Sequence, residues 1–314
     1  GSAMRILKKN DTATFWVVSA TLIGFFVLSA RFLMHEGKFH TGLLYIAVPY
    51  VLSLALYYLT PYKPAQTWGR RFWNNFRSCL IIILASSIFL MEGYVCLIMA
   101  LPLFLIVVVL AFITAYIWNC FGNRSPKSYV LPIIIFLASL EGTTPDLTFN
   151  RYNEVSYSQV VNIDVDTLRD KLQKPIEFNG KRHWILSVFP MPTYVGTAQL
   201  NEGEVRKYDF VYHRWFVTNT KVGSLNVVFK DVDRNRIKTT IKDSSYISGY
   251  MKLHGTEFSF EAVGENQTKV TLSVSFDRNL DPLWYYQPLE RFAVKKGVEY
   301  FINEVLTVPP EGNL

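Results

Sequence analysis

Arg206, Tyr208, Phe210 and Tyr212 stand two residues apart along one stretch of the chain, so a strand there aims a guanidinium and three aromatic rings at a single face. A guanidinium at the mouth of an apolar pocket pairs with a carboxylate or phosphate head group. At a strand end in water, the same residue is an ordinary solvated charge. Trp184, Phe189, Phe216, Phe258 and Phe260 add further rings, which either line a cavity for an apolar ligand or fill a core. The histidines of this half, His183, His213 and His254, lie on separate segments. With no HExxH, no His pair at i, i+4 and no cysteine among them, no metal or cofactor is expected. Gly-x-Ser-x-Gly, Walker and Rossmann patterns are absent. An enzyme built here would have to draw its acid–base groups from Arg206, Tyr208 and His213.

These residues must be positioned by the elements around them. From residue 153 the pattern has period two: Val155, Tyr157, Gln159, Val161, Ile163 and Val165 alternate with polar neighbours. Residues 166–173 predict a short helix capped by Asp164 or Asp166. Strand patterns follow at 194–200, 205–216, 224–231, 236–243, 252–263 and 268–276. Short polar turns between them imply an antiparallel meander. In the last hairpin Phe258, Phe260 and Ala262 are expected to meet Val270, Leu272, Val274 and Phe276. After Pro282 the spacing of Leu289, Phe292, Val298, Phe301, Ile302 and Val305 predicts a long helix over about 287–306, lying across the sheet.

The first half is different in kind. Of 314 residues 50% are hydrophobic and only 18% charged, against about 25% charged in ordinary soluble domains. The excess lies within 15–140. The run 12–34 covers about 34 Å as a helix, enough to cross a bilayer, and is too long for a signal peptide. Further spans are expected at 41–62, 73–91 and 94–118, with a turn at Glu92-Gly93. A fifth run, 128–140, is either a short span, an interfacial helix or a re-entrant piece. The net charge of +7 does not point to nucleic acid, because Arg5, Lys8, Lys9, Lys63, Arg70, Arg71, Arg77, Arg124 and Lys127 flank the apolar runs. With the N-terminus in the cytoplasm these clusters fall inside. A fifth span then places the second half outside, which in a bacterium means the periplasm. No row of ionisable residues crosses the spans, so anchoring is favoured over transport.

The order of strand, short helix, antiparallel strands and long C-terminal helix resembles the START-like (SRPBCC, polyketide cyclase-like) superfamily with its helix-grip fold. The residues that carry the resemblance are DVDTLRDKL at 164–172, WILSVFPMP at 184–192, GEVRKYDF at 203–210, GTEFSFEAVGENQTKVTLSVSF at 255–276 and LDPLWYY at 280–286. The expected organisation is a helical transmembrane region over 4–145 and an α+β helix-grip domain over 150–308. The resemblance implies a cavity between a curved sheet and the last helix, open to hydrophobic or lipid-like molecules. Membrane-anchored members often carry a His in that helix, where this chain has Lys295-Lys296-Gly297, and the departure weakens any catalytic expectation. Three readings follow: a membrane-tethered binder of a hydrophobic small molecule, a cyclase or dehydratase, or an interaction module with a closed pocket and a membrane-protein partner.

Overall fold

The computed structural model describes residues 11–37, 40–59, 67–89, 94–122, 124–178, 182–188, 192, 194–214, 219–243 and 250–307. The chain divides into two compact units, Gly1–Phe149 with Asp281–Leu283, and Asn150–Leu280 with Trp284–Leu314.

The first unit is helical. Its elements are α1 (Asp11–His35), a π turn (Leu43–Ala47) running into α2 (Val48–Leu59), α3 (Trp68–Phe89), α4 (Tyr94–Phe121), and α5 (Val130–Ser139) after a 3-10 turn. Two stretches, Trp16–His35 and Ile98–Phe121, are long and apolar enough to cross a membrane by length and composition. The expected Glu92-Gly93 turn lies outside the described residues. Polar side chains link the helices. The Tyr50 and Thr114 hydroxyls meet at 2.6 Å, Ser53 donates to Asn75 Oδ1, and the Arg71 guanidinium donates to the Tyr57 carbonyl at 3.1 Å. Where the π turn meets α5, a Cβ on Gly42 would stand 2.9 Å from the Ser139 carbonyl, so only glycine permits that approach.

The second unit opens with β1 (Tyr152–Val161) and α6 (Val165–Gln173). Asp164 caps α6 by accepting from the Thr167 amide, and the Thr167 bonds hold its carboxyl below the usual range. A minimal pair, β2 (Ile176–Glu177) and β3 (Tyr194–Val195), flanks α7 (Trp184–Val188). The meander follows: β4 (Val205–Arg214), β5 (Asn219–Val232), β6 (Arg236–Asp243), β7 (Met251–Gly264) and β8 (Gln267–Arg278). The six long strands form one antiparallel sheet in the order β1-β8-β7-β6-β5-β4. In the last hairpin Phe258 faces Leu272 and Phe260 faces Val270, as the alternation requires.

The chain ends its order with α8 (Leu283–Tyr300), whose final turn widens into a π turn at Phe301–Leu306. It begins before the expected 287, because the proline at 288 sits in the second turn without stopping the helix. Val298, Ile302 and Leu306 on α8 pack with Leu168 and Leu172 of α6 and with Phe260, Val270 and Leu272 of the sheet. An antiparallel six-stranded sheet with a long C-terminal helix is the helix-grip arrangement. Of the strand expected at 194–200, only Tyr194–Val195 pairs, because its partner β2 is two residues long.

Register shifts interrupt the β7–β8 pair twice, at Leu253/Gly255 and at Ala262/Gly264, and the β5–β6 pair once. The register between β7 and β8 slips by one residue between Leu253 and Gly255. A Cβ on Gly255 would stand 2.3 Å from the Thr239 carbonyl of β6, so the bulge brings backbones too close for any side chain. The slip between Phe229 and Asp231 bends β5.

Candidate functional site: a cavity between the sheet and the last helix

The slip at Gly255 decides which side chains turn inward. Before it Met251 and Leu253 face the helix side, and after it Thr256 and Phe258 do, so parity changes while the face stays the same. With Leu225, Val227 and Phe229 of β5 and Ile237 and Ile241 of β6 they form an apolar wall. Ala293, Val294, Gly297, Val298 and Phe301 of α8 form the opposite side. The two walls touch where Phe258 meets Phe301. Between them lies a cavity of about 300 Å³, at the lower end of small-molecule sites.

β4 supplies the polar part of the wall. Arg206, Tyr208 and Phe210 all line the cavity, as their spacing on one strand face predicts. Arg206 is only 4% exposed. Its guanidinium donates to the carbonyls of Leu172, of Lys174 (2.7 Å) and of Gly196 (2.9 Å). The first two acceptors are at the C-terminal end of α6, where a cation is favoured by the helix dipole. Burial lowers the Arg206 pKa from its ordinary value, and the nearby Tyr208 opposes that shift. The group stays charged at neutral pH. Burial also pushes the Tyr208 phenol up, with Arg206 pulling it partly back. Two threonines complete the polar lining, Thr239 and Thr256, whose hydroxyls bond each other at 2.6 Å across the β6–β7 pair.

The remaining expected lining residues fall elsewhere. Trp184 is 66% exposed and points away from the cavity. Its segment is a helix, so residues 184 and 186 project to different sides, and Leu186 lines the cavity in its place. Phe260 is 2% exposed and stacks on Phe258 at 6.1 Å, in the packed core past the end of the cavity. Phe258 itself lines the cavity and touches Phe301 of α8. Tyr212 pairs with Lys221 in the β4–β5 ladder, and its side chain lies outside the described residues, as do Phe189 and Phe216.

His254 pairs with Asp277 at 3.0 Å and stacks on Tyr152. His183 lies against Trp184 and Phe292. The side chain of His213 lies outside the described residues. Among the described residues no group of His, Cys, Asp or Glu is arranged to hold a metal. In the Lys295-Lys296-Gly297 segment, Lys295 is exposed and Lys296 pairs with Glu299 at 3.1 Å. Gly297 faces the cavity, and a Cβ there would be in ordinary contact with Leu186. Sequence reasoning missed Leu186, Gly297 and the threonine pair.

No protein-family model matches the chain, and no curated protein matches it. Solved structures do. A norcoclaurine synthase point mutant from Thalictrum flavum, in complex with a transition-state analogue, is 12% identical, with 51% of this chain and 94% of that one covered and a TM-score of 0.33. Protein CV1439 from Chromobacterium violaceum is 12% identical, covering 47% and 95%, with a TM-score of 0.29. The ginseng major latex-like protein 151 from Panax ginseng is 7% identical, covering 50% and 99%, with a TM-score of 0.28. The fold of the second unit is read from its own strand order and from α8.

Proposed function

We propose that this protein is a membrane-tethered binder of a hydrophobic or lipid-like small molecule, with the helical unit as the tether and the helix-grip unit as the receptor. The observation that carries the reading is the apolar cavity between the sheet and α8, about 300 Å³ in volume. Cyclase or dehydratase chemistry would need a proton donor and a proton acceptor facing that space. Among the described lining residues the ionisable ones are Arg206 and Tyr208, and both are in their donor forms at neutral pH. Native mass spectrometry of the full chain, released from detergent after expression in a heterologous host, tests the binding. A reproducible small-molecule adduct is expected, lost when Phe210 is replaced by Asp. A folded chain that carries no adduct and takes up no added amphiphile would sink the reading.

The tether rests on α1 and α4, and on the large apolar side chains that the helical unit turns outward, such as Trp16, Leu28 and Phe32 of α1 and Ile133, Phe136 and Leu137 of α5. In water such a surface is costly, and in hydrocarbon it is the normal outer face of a helix bundle. α5 is about 15 Å long, so crossing with it requires its 3-10 lead-in and local thinning of the bilayer. The proposed topology has the N-terminus in the cytoplasm and the helix-grip unit outside, in a bacterium the periplasm. All three cysteines, Cys79, Cys96 and Cys120, precede the second unit. A single Glu265→Cys in a cysteine-free background is therefore a clean probe. Labelling by an impermeant maleimide in intact spheroplasts is the expected result. Labelling only after lysis would place the unit in the cytoplasm.

A further inference from the structure

We infer that the ligand of this cavity carries an anionic head, and that a single-chain carboxylic acid of medium length is the class that fits. The inference rests on the binding function proposed above and narrows it. Four polar side chains line the described part of the cavity: Arg206, Tyr208, Thr239 and Thr256. The threonines are committed to each other and to the β6–β7 backbone, since Thr239 Oγ1 also accepts from the Thr256 amide at 3.2 Å. They offer a ligand little.

Arg206 and Tyr208 are different. Three carbonyl acceptors take up part of the Arg206 donor set, and its Nε is buried with no partner. No carboxylate among the described residues pairs with it, so its positive charge is balanced only by carbonyl dipoles. A buried cation without a counter-ion is a costly arrangement. Tyr208 is the next inward residue on the same strand and lines the cavity. A largely apolar wall thus holds one positive charge with no carboxylate counter-ion among the described residues, beside one hydroxyl donor. A carboxylate suits both. One oxygen accepts from the Tyr208 hydroxyl, and the negative charge meets the guanidinium across a wall of low dielectric, where Coulomb attraction is strong.

Size sets the rest of the class. At roughly 30 Å³ for each water-sized group, the cavity holds about ten such groups. That accommodates the chain of an acid of about ten carbons.

The test is a comparison of decanoic acid with 1-decanol, both radiolabelled, bound to the full chain in nanodiscs of zwitterionic lipid and corrected against empty discs. The acid is expected to bind about tenfold tighter than the alcohol or more. Tyr208→Phe and Arg206→Met are expected to shrink that ratio, while alcohol binding reports that each variant still has its cavity. Equal binding of acid and alcohol by the native chain would overturn the inference and leave the hydrophobic-cavity reading standing. Binding of neither would remove both. The native ratio decides even where Arg206→Met fails to fold, because the alcohol control shows that failure directly.

Discussion

Replacing Ala293 by Phe is expected to lower ligand uptake by about tenfold or more while the chain stays folded. Ala293 is buried on α8 and lines the cavity, beside Phe178, Ile185 and Leu186. In a close-packed core a substitution of this size costs about 1–3 kcal/mol in strain. Here the ring has an empty apolar space to enter, so the strain is relieved and new dispersion contacts form with the sheet wall. The thermal midpoint of the variant is therefore expected to stay level or rise, while decanoic acid retention falls. Calorimetry and radioligand retention on the same preparation check both halves. Unchanged uptake by a folded A293F chain would mean that the ligand sits elsewhere.

The second large effect belongs to Phe260 and is one of stability alone. Its ring is fully packed among core residues, opposite Val270 in the β7–β8 ladder and stacked on Phe258. Phe260→Ala is expected to cost about 3–5 kcal/mol, the usual range for removing a buried phenylalanine. For a unit of this size that lowers the thermal midpoint by roughly 10 °C or more, with ligand affinity of the folded fraction unchanged. Phe258→Ala differs in kind, because its ring borders the cavity and its removal widens it. The two neighbours separate a packing role from a binding role. Loss of affinity in F260A at temperatures where it is fully folded would show that the boundary of the cavity has been misplaced.

Much of this was legible beforehand, and the reasons are physical. The β7–β8 hairpin is two long alternating runs joined by a short polar turn, so hydrophobic patterning alone sets its register. The face that Arg206 shares with Tyr208 and Phe210 was legible because period two ties them together, but its burial was not, since a charge near a strand end is ordinarily solvated. The cap of α6 was legible only as Asp164 or Asp166, and it is Asp164 that accepts from the Thr167 amide. The bulge at Gly255 was not legible. Reading 252–263 as one unbroken strand carries the Phe258 parity back to His254, whereas the slip turns Met251 and Leu253 inward and leaves His254 to Asp277. The close approach of Gly255 to Thr239 is a property of two strands, and a single sequence segment does not contain it. α7 was hidden for another reason. Five residues do not complete two helical turns, so no period can be measured, and Trp184 was assigned to the cavity that Leu186 lines.

The strand order also has a consequence for synthesis. β1 is the first strand of the unit to leave the ribosome, yet among the described residues its one sheet neighbour is β8, the last. Roughly a hundred residues separate them, which at about 5–20 residues per second is a delay of about 5–20 seconds. Through that interval β1 presents a half-apolar edge with no ladder to join. Every other strand of the meander finds its partner as soon as the next one is made. The sheet therefore closes by returning to its beginning, and a nascent chain cut short before Gln267 carries a complete β4–β7 meander with β1 still open.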